Sequence, residues 1–158
     1  MRSKAANILV IDDDPAIRRT MLAILIQRGH KVTLAKDGKE GLSLFHSARF
    51  DLVFTDLGIP CVSGWEVVAA IRQHAVSVPV VVMTGWPESI IGQALDPDQV
   101  QGILSKPFTI GGVVELVSEL IEQPWLIAGA DGSATRSRGE HRRARPASGE
   151  RLAQRWSA

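Results

Sequence analysis

Residues 7–15 read Asn-Ile-Leu-Val-Ile-Asp-Asp-Asp-Pro, and the organisation of the chain can be worked out from this stretch. Its apolar run is too short for an amphipathic helix and suits a strand buried on both faces, the kind found in parallel sheets. The run stops at three aspartates. Asp14 beside Pro15 is a helix start, because a carboxylate accepts from the free N–H groups of a first turn and proline already holds the φ that the first helical position needs. Strand, acidic turn and helix start thus follow one another without a spare residue.

The same unit recurs outward from this stretch. Ile17, Met21, Ile24 and Leu25 form the apolar stripe of the first helix, which Gly29 closes. Leu52–Thr55 and Val78–Met83 are two more strong strand candidates, and Val32–Ala35 and Gly102–Ser105 are shorter ones. Asp37 with Glu40 and Ser63 with Glu66 have capping-box spacing, which predicts helices starting near Gly38 and Gly64, the latter continuing through Val67, Val68 and Ile71. A short fourth helix begins near Pro87 and is stopped by Asp96-Pro97. A fifth runs from Thr109 to about Glu122 on an apolar face of Val113, Leu116, Val117, Leu120 and Ile121. Alternating strands and helices predict an α/β fold, a doubly wound five-stranded parallel sheet of flavodoxin-like (βα)5 form with right-handed crossovers. The domain reading is a lead over residues 1–6, the folded unit over 7–122, and a basic, disordered tail over 123–158.

Composition agrees with one domain plus an extension: 158 residues, 45% of them hydrophobic, can bury a core of ordinary size. The formal net charge of +1 hides an asymmetry. Residues 1–125 hold 11 Lys/Arg against 14 Asp/Glu, whereas residues 126–158 hold 7 Arg against 3 acids. From Ala128 the chain is Gly, Ser, Ala and Arg with little to bury before Leu152 and Trp156, which predicts a solvated extension. Its arginines lack interleaved aromatics and any helix-turn-helix pattern, so contact with nucleic acid is the weaker alternative. Cys61 has no cysteine to pair with, which suits a reducing, cytoplasmic compartment, and no apolar stretch approaches the roughly 20 residues of a membrane span. The four histidines, His30, His46, His74 and His141, lack metal-ligand spacing and are expected at the surface.

In open parallel sheets ligands bind beyond the carboxyl ends of the strands. There the chain places Asp12-Asp13-Asp14 after the first strand, Asp56 after the third, Thr84 after the fourth and Lys106 after the fifth. Three carboxylates on one rim repel each other, and a divalent cation with a taste for oxygen, such as Mg2+, resolves the conflict.

The segments ILVIDDDP, DLVFTDLGIPCVSG, VVVMTG and LSKPF resemble, in order and with compatible spacing, the successive motifs of response-regulator receiver domains, over residues 7–122. The resemblance implies that Asp56 takes a phosphoryl group from a histidine kinase or phosphotransfer protein and that the output passes to a downstream protein. It implies Mg2+ bound directly by Asp13, through water by Asp12, and by Asp56 and the Gly58 carbonyl. Lys106 would pair with phosphoryl oxygens and the Thr84 hydroxyl would bond one of them. The Lys106-Pro107 bond would be cis, and the only catalysis would be transfer onto and loss from the chain itself. Without a recognisable effector domain the expectation is a single-domain regulator, although a fragment of a longer hybrid protein would look the same. Gly64 is expected to supply permissive backbone after the acceptor.

The chain departs from that pattern at Ile103, where receivers usually carry the aromatic residue whose swing reports phosphorylation. Trp86 is the expected substitute in signalling, and it also stands where it can screen the phosphoryl group from water. Gly111-Gly112 and the short fourth helix predict a mobile output face. A haloacid-dehalogenase-type phosphatase is the rival enzyme, but Asp12 and Asp14 are followed by Pro15-Ala16 instead of that family's continuation. A dinucleotide-binding domain would need glycines where the three aspartates stand. A receiver-shaped module that does not use phosphate is the third reading.

Overall fold

The computed structural model describes residues 4–122 apart from residues 76 and 97; the expected tail, with His141, Leu152 and Trp156, lies outside the described residues. Strands and helices alternate as β1 (Asn7–Ile11), α1 (Pro15–Gln27), β2 (Lys31–Ala35), α2 (Gly38–Ser47), β3 (Leu52–Asp56), α3 (Gly64–His74), β4 (Val80–Thr84), α4 (Glu88–Ala94), β5 (Gly102–Ser105) and α5 (Ile110–Glu122). All pairings are parallel, in the order β2-β1-β3-β4-β5. The order reverses direction at β1, and beyond the ends of β1 and β3 lies the switch point at which open parallel sheets bind their ligands.

Successive strand side chains point to opposite faces, and the core divides accordingly. Leu9, Ile11, Val53, Val80 and Val82 pack with Phe45 of α2, Val67, Val68 and Ile71 of α3, and Ile91 of α4. Ile8, Val10, Leu52, Phe54, Val81 and Met83 pack on the other face with Met21, Ile24 and Leu25 of α1 and Val113, Val117 and Leu120 of α5. Every residue of β3 and β4 is buried, which explains why these strands read as unbroken apolar runs instead of alternating ones. Each fully buried aliphatic side chain contributes roughly 1.5–3 kcal/mol against the entropy of ordering the chain.

The helix starts follow the cues in the sequence. Asp14 Oδ1 accepts from Ala16 N at 2.7 Å, with Pro15 opening α1. Ser63 and Glu66 form a complete capping box on α3. At α2 only half of the box forms: Asp37 Oδ1 accepts from Glu40 N at 2.8 Å, but Glu40 Oε2 reaches one residue further back, to Lys36 N. Gly29, at φ +87°, ends α1 in the left-handed conformation that glycine adopts without penalty.

Five expectations need correction. The second strand begins at Lys31, one residue before Val32. The fourth strand begins at Val80, not Val78, because Pro79 has no N–H for the ladder and Arg72 Nη1 takes the Val78 carbonyl at 2.7 Å. Both the third and the fourth strands run one residue further at their C-terminal ends, to Asp56 and Thr84. Gly64 is needed for closeness and not for an unusual φ: a Cβ there would collide with the Asp56 carbonyl oxygen and lie 2.7 Å from Leu57 Cα. The left-handed residue of that loop is Cys61, at φ 70°, which costs a non-glycine residue about 1–2 kcal/mol. His30 is buried instead of exposed, its Nδ1 accepting from Ala6 N at 3.3 Å, while the exposed rings of His46 and His74 meet edge-on.

Candidate functional site

Parallel strands deliver their last residues to one edge, and here that edge is acidic. Asp12 follows β1 directly, Asp56 ends β3, Thr84 ends β4 and Lys106 follows β5. Asp12 is fully buried, Asp56 and Thr84 are nearly so, and Asp13 stands exposed on the rim. Carboxylate oxygens of Asp12, Asp13 and Asp56 all lie within 4.8 Å of one another, the only grouping of three or more metal-binding side chains among the described residues. Lys106 Nζ donates to Asp12 Oδ2 at 2.7 Å and lies 3.2 Å from Asp56 Oδ2.

The consecutive aspartates divide the work. Asp12 turns inward with Oδ1 accepting from Asp14 N at 2.9 Å and Oδ2 on Lys106. Asp14 turns outward to cap α1. Asp13, between them, is left exposed at the mouth of the crevice. Asp56 Oδ1 accepts from Gly58 N at 3.2 Å, and the space above Gly58 is open: a Cβ there would find only Asp56 Oδ2, at 4.0 Å.

Burial pushes the Asp12 carboxyl above its ordinary value, against the opposing pull of Lys106 and the Asp14 N–H. Burial alone would depress Lys106, but its bonds to Asp12 and its attraction to Asp56 outweigh that, so the ammonium is held more firmly charged than usual. Three carboxylates against one ammonium leave the crevice short of positive charge. An all-oxygen donor set with that deficit suits a small hard cation such as Mg2+.

The supporting residues are also in place. Thr84 Oγ1 accepts from Trp86 N at 3.0 Å, which leaves the hydroxyl hydrogen free to be donated elsewhere. The Thr84 carbonyl accepts from Lys106 N at 2.7 Å, and the Lys106-Pro107 peptide is cis, as expected. Trp86 is 56% exposed. Ile103, at the position where an aromatic swing was expected to be missing, is buried in the core cluster of the α2, α3 and α4 face. One residue at the site was not singled out from the sequence: Arg18 Nη1 donates to the carbonyls of Asp12 at 2.6 Å and Asp13 at 3.0 Å. Its position one helical turn after Asp14 was the available signal.

Comparison with known proteins places most of these elements in one family. Residues 8–118 match the family model of the response regulator receiver domain. Response regulator RR06 of Streptococcus pneumoniae is 34% identical over 121 residues, covering 77% of this chain and 55% of the relative, so the chain spans about half the length of that relative. Among solved structures, the chemotaxis response regulator CheY4 of Vibrio cholerae superposes with a TM-score of 0.70 at 28% identity, covering 74% of this chain and 99% of that one. Response regulator TrrA of Thermotoga maritima, solved in complex with Mg2+-BeF, gives a TM-score of 0.66 at 31% identity, covering 72% of this chain and 97% of that one. No helix among the described residues is long and apolar enough to cross a membrane. The chain therefore belongs to the response regulator receiver domain family, the signalling switches of two-component systems.

Proposed function

We propose that this chain accepts a phosphoryl group on Asp56, in a Mg2+-dependent transfer from the phosphohistidine of a kinase or phosphotransfer protein, and signals by protein contact. The observation that carries the proposal is the convergence of Asp12, Asp13 and Asp56 with Lys106 in one crevice at the strand ends. A carboxylate oxygen of Asp56 forms the new bond to phosphorus as the bond to the donor's imidazole nitrogen breaks, and the imidazole leaves with the electron pair. Catalysis in phosphoryl transfer is mainly positioning and neutralisation of charge on the equatorial oxygens. The β3 backbone and the Gly58 N–H hold Asp56 in place. The Lys106 ammonium, already 3.2 Å from Asp56 Oδ2, moves its attraction from the carboxylates to the incoming phosphoryl oxygens. The Thr84 hydroxyl donates its free hydrogen to one of those oxygens. Asp13, with its carboxylate exposed, would hold Mg2+ together with Asp56 and the Gly58 carbonyl, and Asp12, with both oxygens occupied, would support it through water. When bound, the ion supplies charge neutralisation and a template for the phosphoryl oxygens.

The chain's own chemistry is limited to this transfer and to the later loss of the group by hydrolysis. We assign the unit to residues 7–122, which the span from β1 to α5 and the family match over 8–118 support. A cytoplasmic setting fits the free, exposed Cys61. Intact-protein mass spectrometry after treatment with acetyl phosphate tests the function. A gain of one phosphoryl group that requires Mg2+ and is lost in Asp56→Asn is the expected result. No adduct from acetyl phosphate or from a kinase would overturn the proposal in favour of a phosphate-independent binding module.

A further inference from the structure

Asp12 and Asp13 sit on a turn, and a turn holds two carboxylates in register only if its own backbone is held. The Asp12 amide is tied to the Ala35 carbonyl at 3.1 Å, and the Asp14 amide to Asp12 Oδ1. The carbonyls of Asp12 and Asp13 belong to no strand ladder or helix. Both are taken by a single nitrogen, Arg18 Nη1, at 2.6 and 3.0 Å. The donor is itself anchored, because Arg18 N bonds the Asp14 carbonyl in the first turn of α1 at 3.1 Å. Helical side chains lean toward the helix N-terminus, so an arginine one turn into α1 naturally folds back over the turn that precedes it. Bonds from one nitrogen to two successive carbonyls hold two successive peptide planes and with them the directions in which Asp12 and Asp13 leave the backbone.

We propose that Arg18 is a positioning residue for the metal-binding pair, acting through the backbone of the acidic turn and not on the ion or the phosphoryl group. This rests on the Mg2+ reading above and adds to it a residue outside the acid, threonine and lysine set. Geometry and charge make opposite demands here, which makes the proposal testable. As a cation next to the crevice, Arg18 should repel Mg2+ and its removal should tighten binding. As a clamp on the turn, its removal should weaken binding. Groups that orient metal ligands typically contribute tenfold or more to affinity, whereas one extra positive charge at the crevice mouth is partly screened by solvent and salt. The clamp should win.

The test is calorimetric titration of the whole chain with Mg2+ alone, together with thermal melts in Mg2+-free buffer. Arg18→Met should bind Mg2+ about tenfold more weakly, while Arg19→Met, which removes the same charge from an exposed neighbour, should bind as the wild type does or slightly more tightly. Unchanged or tighter binding by Arg18→Met would overturn the proposal. If Arg18→Met does not fold, Arg18→Lys decides the matter: it keeps the charge but not the planar donor, so weaker binding supports the clamp and wild-type binding overturns it. Absence of Mg2+ binding by the wild-type protein would sink the metal reading itself and this proposal with it, an outcome distinct from a loss confined to Arg18.

Discussion

The acid rim and the segment from Trp86 to Val100 both hang from the ends of central strands, yet they are held in very different ways. At the rim, Asp12 is bonded through its amide, its carbonyl and both carboxylate oxygens, and no buried side-chain nitrogen or oxygen among the described residues lacks a partner. Beyond β4, α4 is seven residues long, with Pro87 at its N-cap position and no side-chain cap. Trp86 and Ile90 expose more than half of their surface, and among the described residues of the segment only Ile91, Leu95 and Val100 join the buried core. So short a helix is marginal without tertiary support. The contrast separates a place where small displacements are costly from one where they are cheap, as a switch needs if a charge change at the first is to be read out at the second.

The largest test of this contrast is Gly64→Ala. Its methyl group would meet backbone on the rim side, the Asp56 carbonyl and Leu57 Cα, and backbone cannot swing away as a side chain can. We expect a loss of about 3 kcal/mol in urea unfolding, at the upper end of overpacking costs. A loss under about 0.5 kcal/mol would show that the loop after Asp56 is looser than the rim it supports.

Asp12→Asn probes the rim's charge, with the opposite sign. Because burial holds the Asp12 carboxyl above its ordinary value, the folded chain binds that proton more tightly than the unfolded chain does. Stability therefore falls as pH rises from the ordinary carboxylate value through the raised one, and the deficit persists at neutral pH without Mg2+. Asp12→Asn should raise the urea midpoint in Mg2+-free buffer at pH 7 and flatten its pH dependence. Saturating Mg2+ should narrow the difference by stabilising the wild type. A lower midpoint for Asp12→Asn at pH 7 would mean that the bond to Lys106 outweighs the cost of burial.

The counterpart of Gly64 beyond β5 is Gly111, in the first turn of α5 and exposed. A Cβ there would find nothing nearer than Thr109 Oγ1, at 3.9 Å. Gly111→Ala should stabilise the chain by about 0.5–1 kcal/mol by reducing the freedom of the unfolded backbone. If its effect has the same sign as that of Gly64→Ala, the two glycines do not differ in the way their surroundings suggest.

How much of this was legible in the sequence depends on how local each feature is. Strand ends were legible to within one residue, because an apolar run that gives way to Asp12 or Asp56 marks both the strand and its chemistry. Helix starts were legible at Pro15, Gly38 and Gly64, because caps are made by residues within three positions of each other. Features set by three-dimensional closeness were not. The burial of His30 depends on its meeting Ala6 across the β1–β2 edge, the need for glycine at 64 depends on the path of Asp56 and Leu57, and the Arg18 contacts depend on a rotamer. The start of β4 was misread because the apolar Val78 sits on the far side of a proline, and its carbonyl goes to Arg72 instead of to a neighbouring strand.

The smallest expected effect concerns a hydrogen bond that ties the two regions together, from the amide of Trp86 to Thr84 Oγ1. If the Thr84 hydroxyl donates to a phosphoryl oxygen, its oxygen shifts, and the partner amide carries that shift into the start of the α4 segment. The backbone bond survives Trp86→Phe, so this substitution tests only the part played by the indole: its exposed surface as a contact for partners and its bulk as a screen against water. The expected change in aspartyl-phosphate lifetime is roughly two- to threefold, less than about 0.7 kcal/mol in barrier, with a comparable weakening of partner binding. A lifetime and a partner affinity both identical to the wild type would remove Trp86 from the switch. The coupling would then rest on the Thr84 backbone and on Ile103, whose burial in the core gives it no outward position to swing from.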